Sequence, residues 1–177
     1  MIVAMAGLPG TGKSTIARIL EKEHGFFILD KDQVRQSLFG ARFTDYTTEQ
    51  NDLCIDLMIE VAAYLHARHP AITIIFDGRP FSQERQVRTL VEAALRINAE
   101  LHWVKLFCSD ESAKERIERA RGIHPAENRT FQWYLDSKAK EEPLKVDHLL
   151  IDTDKGSPDD AAAEIAAYLR LRLQDMQ

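Results

Sequence analysis

Cysteine is scarce in this chain, with only Cys54 and Cys108 among 177 residues. Cys54 falls in a helical pattern and Cys108 ends a strand pattern. Both read as small apolar packing groups of a reducing compartment, not as a disulfide framework. Excess positive charge is missing too. The formal net charge is −5, so no global field draws in nucleic acid, although a local basic groove stays open. No segment approaches the roughly 20 apolar residues of a membrane span. The first apolar run is too short for a signal peptide and leads straight into a glycine-rich loop, so a cytoplasmic location is expected. The histidines show no metal-ligand spacing. There is no nucleophile–base–acid triad, no repeat and no linker. A 45% hydrophobic, 29% charged chain of this length fits one domain spanning residues 1–177.

What the chain does have is Gly7-Leu8-Pro9-Gly10-Thr11-Gly12-Lys13-Ser14, which fits Gly-x-x-x-x-Gly-Lys-Ser/Thr. It follows the apolar run Ile2–Ala6 and precedes a helical pattern with Ile16, Ile19 and Leu20. Strand, loop and helix in that order are the context this phosphate-binding motif needs. Glycines let several N–H groups converge on one anion, and the helix N-terminus adds favourable partial charge. A nucleoside triphosphate is the expected ligand, held by Gly10, Thr11, Gly12, Lys13, Ser14 and Thr15. Lys13 supplies a point charge for the β- and γ-phosphates, and the Ser14 hydroxyl is the expected ligand for Mg²⁺.

Five apolar runs read as buried parallel strands: Ile2–Ala6, Phe26–Leu29, Ala71–Phe76, Leu101–Cys108 and His148–Ile151. Helical patterns separate them, which implies an α/β fold with helices on both faces of the sheet. Thr47 with Gln50 suggests a capping box ahead of a helix whose Leu53, Leu57, Val61 and Leu65 share one face. Ser82 is the expected cap of a helix turning Val87, Leu90, Val91, Ala94 and Leu95 inward. Ser157-Pro158-Asp159-Asp160 is a helix start, with Ala162, Ile165, Ala166, Leu169 and Leu173 buried behind it. A helix from about Asp110 to Arg121, the polar connection Gly122 to Arg129, and a helix from about Thr130 to Lys140 have the form of a lid.

In a parallel sheet, ligands collect outside the carboxyl ends of the strands. Asp30-Lys31-Asp32-Gln33-Val34-Arg35 lies at such an end. Asp32 there suits a base that takes a proton from an attacking hydroxyl, with Arg35 three residues on to hold an anionic group of the acceptor. Asp30 either shares that work or caps the next helix. The third strand ends in Asp77, which is expected to orient Mg²⁺ through water or to position the acceptor and the base. Gly78 gives a tight exit and Arg79 points toward the same mouth. Cations over the transferring phosphoryl group are expected from the lid, in the order Arg121, Arg116, then Arg119, since Glu115 can pair with Arg119. Arg129 lies in the same connection; His124 reads as a turn residue. Trp103 and Trp133 are expected in core and lid packing.

Taken together, Gly7–Thr15, Asp30 to Arg35 and Asp77-Gly78-Arg79 resemble the small P-loop kinases, an AAA-type ATP-binding, kinase-like group. The chain is similar to the kinase domain of phage-type polynucleotide kinase, and to the chloramphenicol phosphotransferase and zeta-toxin kinases, over Met1 to about Thr153. The resemblance implies a three-layer P-loop sandwich of the nucleoside-monophosphate-kinase type with a helical lid at about 110–140. It implies that Asp32 is the base and that Arg35 lies in the acceptor site with the loop after the third strand. Of the lid arginines, it implies one near adenine and one at the phosphates. Polynucleotide kinases tend to carry a polar amide where this chain has Arg79-Pro80, which hints at a small anionic acceptor. The expected function is transfer of the γ-phosphoryl group of ATP to a small-molecule hydroxyl, with Lys13, Asp32, Asp77 and Arg121 as catalytic residues and Asp32, Arg35, Asp77 and Arg79 at the acceptor. One alternative is a polynucleotide 5′-hydroxyl kinase, which needs a basic path into the acceptor mouth. Another is a regulatory ATPase switch. The guanine-reading Asn-Lys-x-Asp element is missing, and a lid that excludes water argues against a hydrolytic switch.

Overall fold

The computed structural model describes residues 1–120 and 130–174. The first apolar run forms β1, Ile2–Ala6, buried along its whole length. The other strands are β2, Phe27–Asp30; β3, Ile74–Asp77; β4, Leu101–Phe107; and β5, His148–Asp152. The helices between and after them are α1, Lys13–His24; α2, Lys31–Phe43; α3, Thr48–Arg68; α4, Glu84–Arg96; α5, Asp110–Arg119; α6, Phe131–Ala139; and α7, Pro158–Gln174.

The strands form a 5-stranded sheet in the order β2-β3-β1-β4-β5, and every pairing is parallel. Parallel neighbours require long crossovers, which is why helices separate the strands in sequence. β1 lies at the centre, with Ile2 in register with Ile74 on one side and Leu101 on the other. Side chains alternate across the sheet. Val3 and Met5 therefore pack with Ile16 and Leu20 of α1 and Ile165 and Leu169 of α7. Ile2 and Ala4 pack on the opposite face with Ile55 and Met58 of α3 and Leu90 of α4. The result is three layers. A smaller cluster of Leu8, Ala113, Ile117 and Tyr134 ties the lid helices α5 and α6 to the phosphate loop. No helix among the described residues is long and apolar enough to cross a membrane.

Expectations for three helices need correction. In α3 the buried residues are Cys54, Ile55, Met58, Ile59 and Ala62, while Leu53, Leu57 and Val61 are exposed. Adjacent stripes on this helix are both apolar, so periodicity alone chose the wrong one. Thr47 does cap α3, accepting from Gln50 N at 3.1 Å. The Gln50 side chain does not complete the box. It accepts from Asp45 N and donates to the Phe43 carbonyl. Ser82 does not cap α4, because the helix starts two residues later, after Gln83. Leu95 faces solvent at 75% exposure. The helix start expected at Ser157 forms in α7, and its cap is reciprocal: Ser157 Oγ accepts from Asp160 N at 3.1 Å and Asp160 accepts from Ser157 N at 2.8 Å. Leu173, one turn past the last buried residue Leu169, is exposed. The expected lid connection, with Arg121, Gly122, His124 and Arg129, lies outside the described residues.

Candidate active site

Between β1 and α1 the chain turns through Gly7, at φ +133°, and Gly10, at φ +82°. A side chain at Gly7 would collide with the Leu106 carbonyl, and one at Gly10 would sit 2.8 Å from the Ala113 carbonyl oxygen. Both positions thus need glycine for backbone angle and for space. Lys13 opens α1 and is buried. Its Nζ donates to the Gly7 and Leu8 carbonyls at 2.6 and 2.8 Å, which curls the ammonium back over the loop. The Thr11 hydroxyl donates to Leu8 O at 2.8 Å. Ser14 is half-buried in the adjoining cleft, whereas Thr15 is exposed.

The end of β2 flows directly into α2. Asp30 is the cap of that helix, accepting from Asp32 N at 2.8 Å and Gln33 N at 3.4 Å. The Asp30 carboxyl is pushed above the usual carboxylate range by burial, and further by the Asp77 carboxylate across the strand pair. Asp32 pairs with Arg35 at 2.5 Å and with Lys31 at 3.4 Å. Arg35 is only 2% exposed. It also donates to Asn51 Oδ1 and lies 5.1 Å from the Tyr46 ring centroid. Lys31 Nζ reaches the same Asn51 oxygen at 3.0 Å. Burial lowers the Lys31 pKa, Asp32 opposes that, and the neighbouring Arg35 and Arg79 add to the lowering.

From β3 comes Asp77, which is 1% exposed and has no hydrogen-bond partner at Oδ1. Arg79 follows, buried, and donates to Asp52 at 2.6 Å. Exposed Arg85 shares that carboxylate at 2.7 Å. Burial works to raise the Asp52 pKa, but hydrogen bonds from Arg85 and Arg79 outweigh it and hold the group below its ordinary value.

Lys13, Ser14, Lys31, Asp32, Arg35 and Arg79 line one cleft of about 340 Å³. The sequence assignments from the phosphate loop, β2 and β3 thus meet in one place. Asp77 sits buried at the end of β3, and its neighbours Gly78 and Arg79 form cleft wall. Arg116 is elsewhere. It donates to Gly10 O at 3.3 Å and to Thr153 Oγ1 and O, both at 2.8 Å, tying the phosphate loop to the loop after β5. Arg119 pairs with Glu115 on an exposed surface, as the spacing predicts. Trp103 is core, but Trp133 is partly exposed and lines the cleft. The sequence reading assigned nothing to Asn51, Asp52, Tyr46 or Thr153. Asn51 and Asp52 stand in α3 soon after its Thr47 cap, and their partners are distant in sequence.

Among the described residues no group of three His, Cys, Asp or Glu could hold a metal on its own. The Ser14 hydroxyl and the unpartnered Asp77 oxygen do fit a hard cation that takes its other ligands from phosphate and water.

Solved structures of similar fold include a Chloroflexus aurantiacus protein described as a kinase, with a TM-score of 0.73 and 15% identity over 94% of this chain and 96% of that one. Another is the APS kinase of Mycobacterium tuberculosis, solved with AMPPNP and APS, at 0.71 and 16% over 96% of each chain. A gluconokinase from Sinorhizobium meliloti superposes with a TM-score of 0.61 and 17% identity over 96% and 95%. These identities establish a shared fold. No curated protein matches the sequence closely enough to add a nearer relative. The AAA domain family model matches residues 2–137, which carry the phosphate loop and most of the cleft lining, and the chain belongs to that family.

Proposed function

We propose that the chain is an ATP-dependent phosphotransferase that moves the γ-phosphoryl group to a hydroxyl of a small molecule, working as a single kinase domain in the cytoplasm. One observation carries this reading: the phosphate loop and the Asp32–Arg35 pair open onto the same cleft, so donor and acceptor sites adjoin. Loop amides from Gly10 to Thr15 and the Lys13 ammonium hold the triphosphate. To do so, Lys13 leaves the Gly7 and Leu8 carbonyls for phosphate oxygens. Ser14 and Asp77 would hold Mg²⁺, which when bound offsets charge on the phosphate oxygens. Asp32 accepts the proton of the attacking hydroxyl. Its ion pair with Arg35 fixes the carboxylate in place. Arg79 binds the acceptor. Arg116 steadies the nucleotide side of the loop through Gly10 and Thr153, and Arg121 is assigned to the phosphoryl group. The APS kinase and gluconokinase of like fold act on small molecules, which supports the same class here.

A polynucleotide 5′ end is the second reading, because the cleft walls hold the cations Lys31, Arg35, Arg79 and Lys140. A cleft of about 340 Å³ favours a small molecule. The test is ADP release with Mg·ATP across a panel of hydroxyl compounds and 5′-hydroxyl oligonucleotides. A small molecule that stimulates release and becomes phosphorylated supports the proposal. Stimulation by oligonucleotides alone moves it to the second reading. Turnover that ignores every acceptor and rises with a protein partner would indicate a switch.

A further inference from the structure

The outer face of α3 carries an apolar stripe. Leu53, Leu57, Val61 and Tyr64 are 38–57% exposed, and at about 100° per residue they fall within about 80° of arc. The opposite face of the same helix is core, with Cys54, Ile55, Met58, Ile59 and Ala62 buried. Single exposed apolar residues are ordinary, but four in one row along a helix form a seam of the kind that pairs with a second helix. Charge closes the stripe at both ends, with opposite signs. Exposed Glu49 lies four residues before Leu53. Exposed Arg68 lies four residues after Tyr64, with its guanidinium 3.8 Å from the Tyr64 ring centroid. The row is symmetric about its own middle. Glu49 and Arg68, Leu53 and Tyr64, and Leu57 and Val61 each straddle a midpoint at residues 58–59. Turned end for end, the stripe therefore meets itself, apolar against apolar and Glu49 against Arg68. Asp56 and Glu60 border it on the side of α4, where Arg96 pairs with Glu60 at 3.2 Å and supplies a cation to that edge.

We infer that α3 is the contact between two copies of this chain, packed antiparallel about a twofold axis that crosses the helix level with Met58 and Ile59. In such a pair every contact occurs twice: Leu57 of each copy lies against Val61 of the other, Leu53 against Tyr64, and Glu49 against Arg68. A second copy fits better than an unrelated partner, because both the spacing and the charge signs of this face complement the same face reversed. The four side chains supply less area than the roughly 800 Å² per partner of a stable interface, so the pair is expected to form at micromolar concentrations, not nanomolar ones. The seam is independent of what the cleft binds.

The experiment is sedimentation of the full chain over a roughly hundredfold range of concentration reaching high micromolar. The wild type is expected to pass from monomer to dimer. Val61→Gln is expected to weaken the dimer by about tenfold or more while circular dichroism shows a folded chain; Tyr64→Gln serves if Val61→Gln does not fold. Glu49→Arg and Arg68→Glu are each expected to weaken it by about fivefold, since two symmetric contacts are reversed at once. The double variant is expected to return to within about threefold of wild type. Glu49 and Arg68 stand about 28 Å apart along one helix, and each reversal sets its charge against the helix dipole. Recovery in the double variant therefore comes only from contact between copies. A wild type that stays monomeric throughout, or one that grows past a dimer, would overturn the inference. So would a dimer indifferent to the folded stripe variant, or a double variant as weak as the single ones.

Discussion

Across the β2–β3 pair the Asp30 carboxylate stands beside that of Asp77. Asp30 costs the fold in one way and supports it in another. Its raised pKa, from burial and then Asp77, means that the native state keeps its proton at pH values where the unfolded chain has lost it. Between the ordinary carboxylate pKa and the raised native value, the native state binds more protons. This group's contribution to stability therefore falls as pH rises through that window, and it is unfavourable at neutral pH. Its hydrogen bonds to Asp32 N and Gln33 N work the other way, as a helix cap. Asp30→Asn keeps an acceptor for the cap and removes the charge, so thermal melts at pH 7 are expected to match or exceed wild type. Asp30→Ala loses the cap and is expected to cost about 1 kcal/mol. A melt in which Asn is as damaging as Ala would show that the charge itself is needed. For Asp32 the proposed role is chemical. Asp32→Asn is expected to lower phosphoryl transfer by about 10²-fold or more with nucleotide affinity nearly kept. An equal loss of nucleotide affinity, measured by calorimetry, would remove Asp32 from the role of base.

At the scale of elements, the strands were legible because central parallel strands are buried on both faces and read as unbroken apolar runs. The candidate residues at their carboxyl ends could be placed for a related reason: Asp77 ends β3, and Asp32, Arg35 and Arg79 lie within a few residues of a strand end. Helix faces were less so. In α3 both Leu53-Leu57-Val61 and Cys54-Met58 have helical spacing, and only contact with Ile74 and Phe76 of β3 decides which is core. The consequence is measurable. Met58→Ala is expected to cost about 2–5 kcal/mol in denaturant unfolding. Leu57→Gln, one residue before it, is expected to change stability by about 0.5 kcal/mol or less. Comparable losses at both positions would mean that α3 is rotated relative to this packing. Asn51 and Asp52 escaped sequence reasoning because their partners Lys31, Arg35 and Arg79 lie 16 to 27 residues away, and nothing local signals such pairing.

Over the whole molecule the net charge is −5, yet the cleft is lined by Lys13, Lys31, Arg35, Arg79 and Lys140 with Asp32 the one carboxylate among its described lining residues. Composition says nothing about the cleft. The fold explains how the charges gather: crossing the sheet in the order β2-β3-β1-β4-β5 sets the ends of β1, β2 and β3 side by side. Loops distant in sequence then converge on the phosphate loop. The most direct test of this account is calorimetry of AMPPNP with Mg²⁺ binding to the wild type and to Lys13→Ala, with circular dichroism to confirm that the variant is folded. One site is expected on the wild type, with affinity about 10²-fold or more weaker in the folded variant. A wild type that binds no nucleotide, or a folded Lys13→Ala that binds it equally well, would contradict the account.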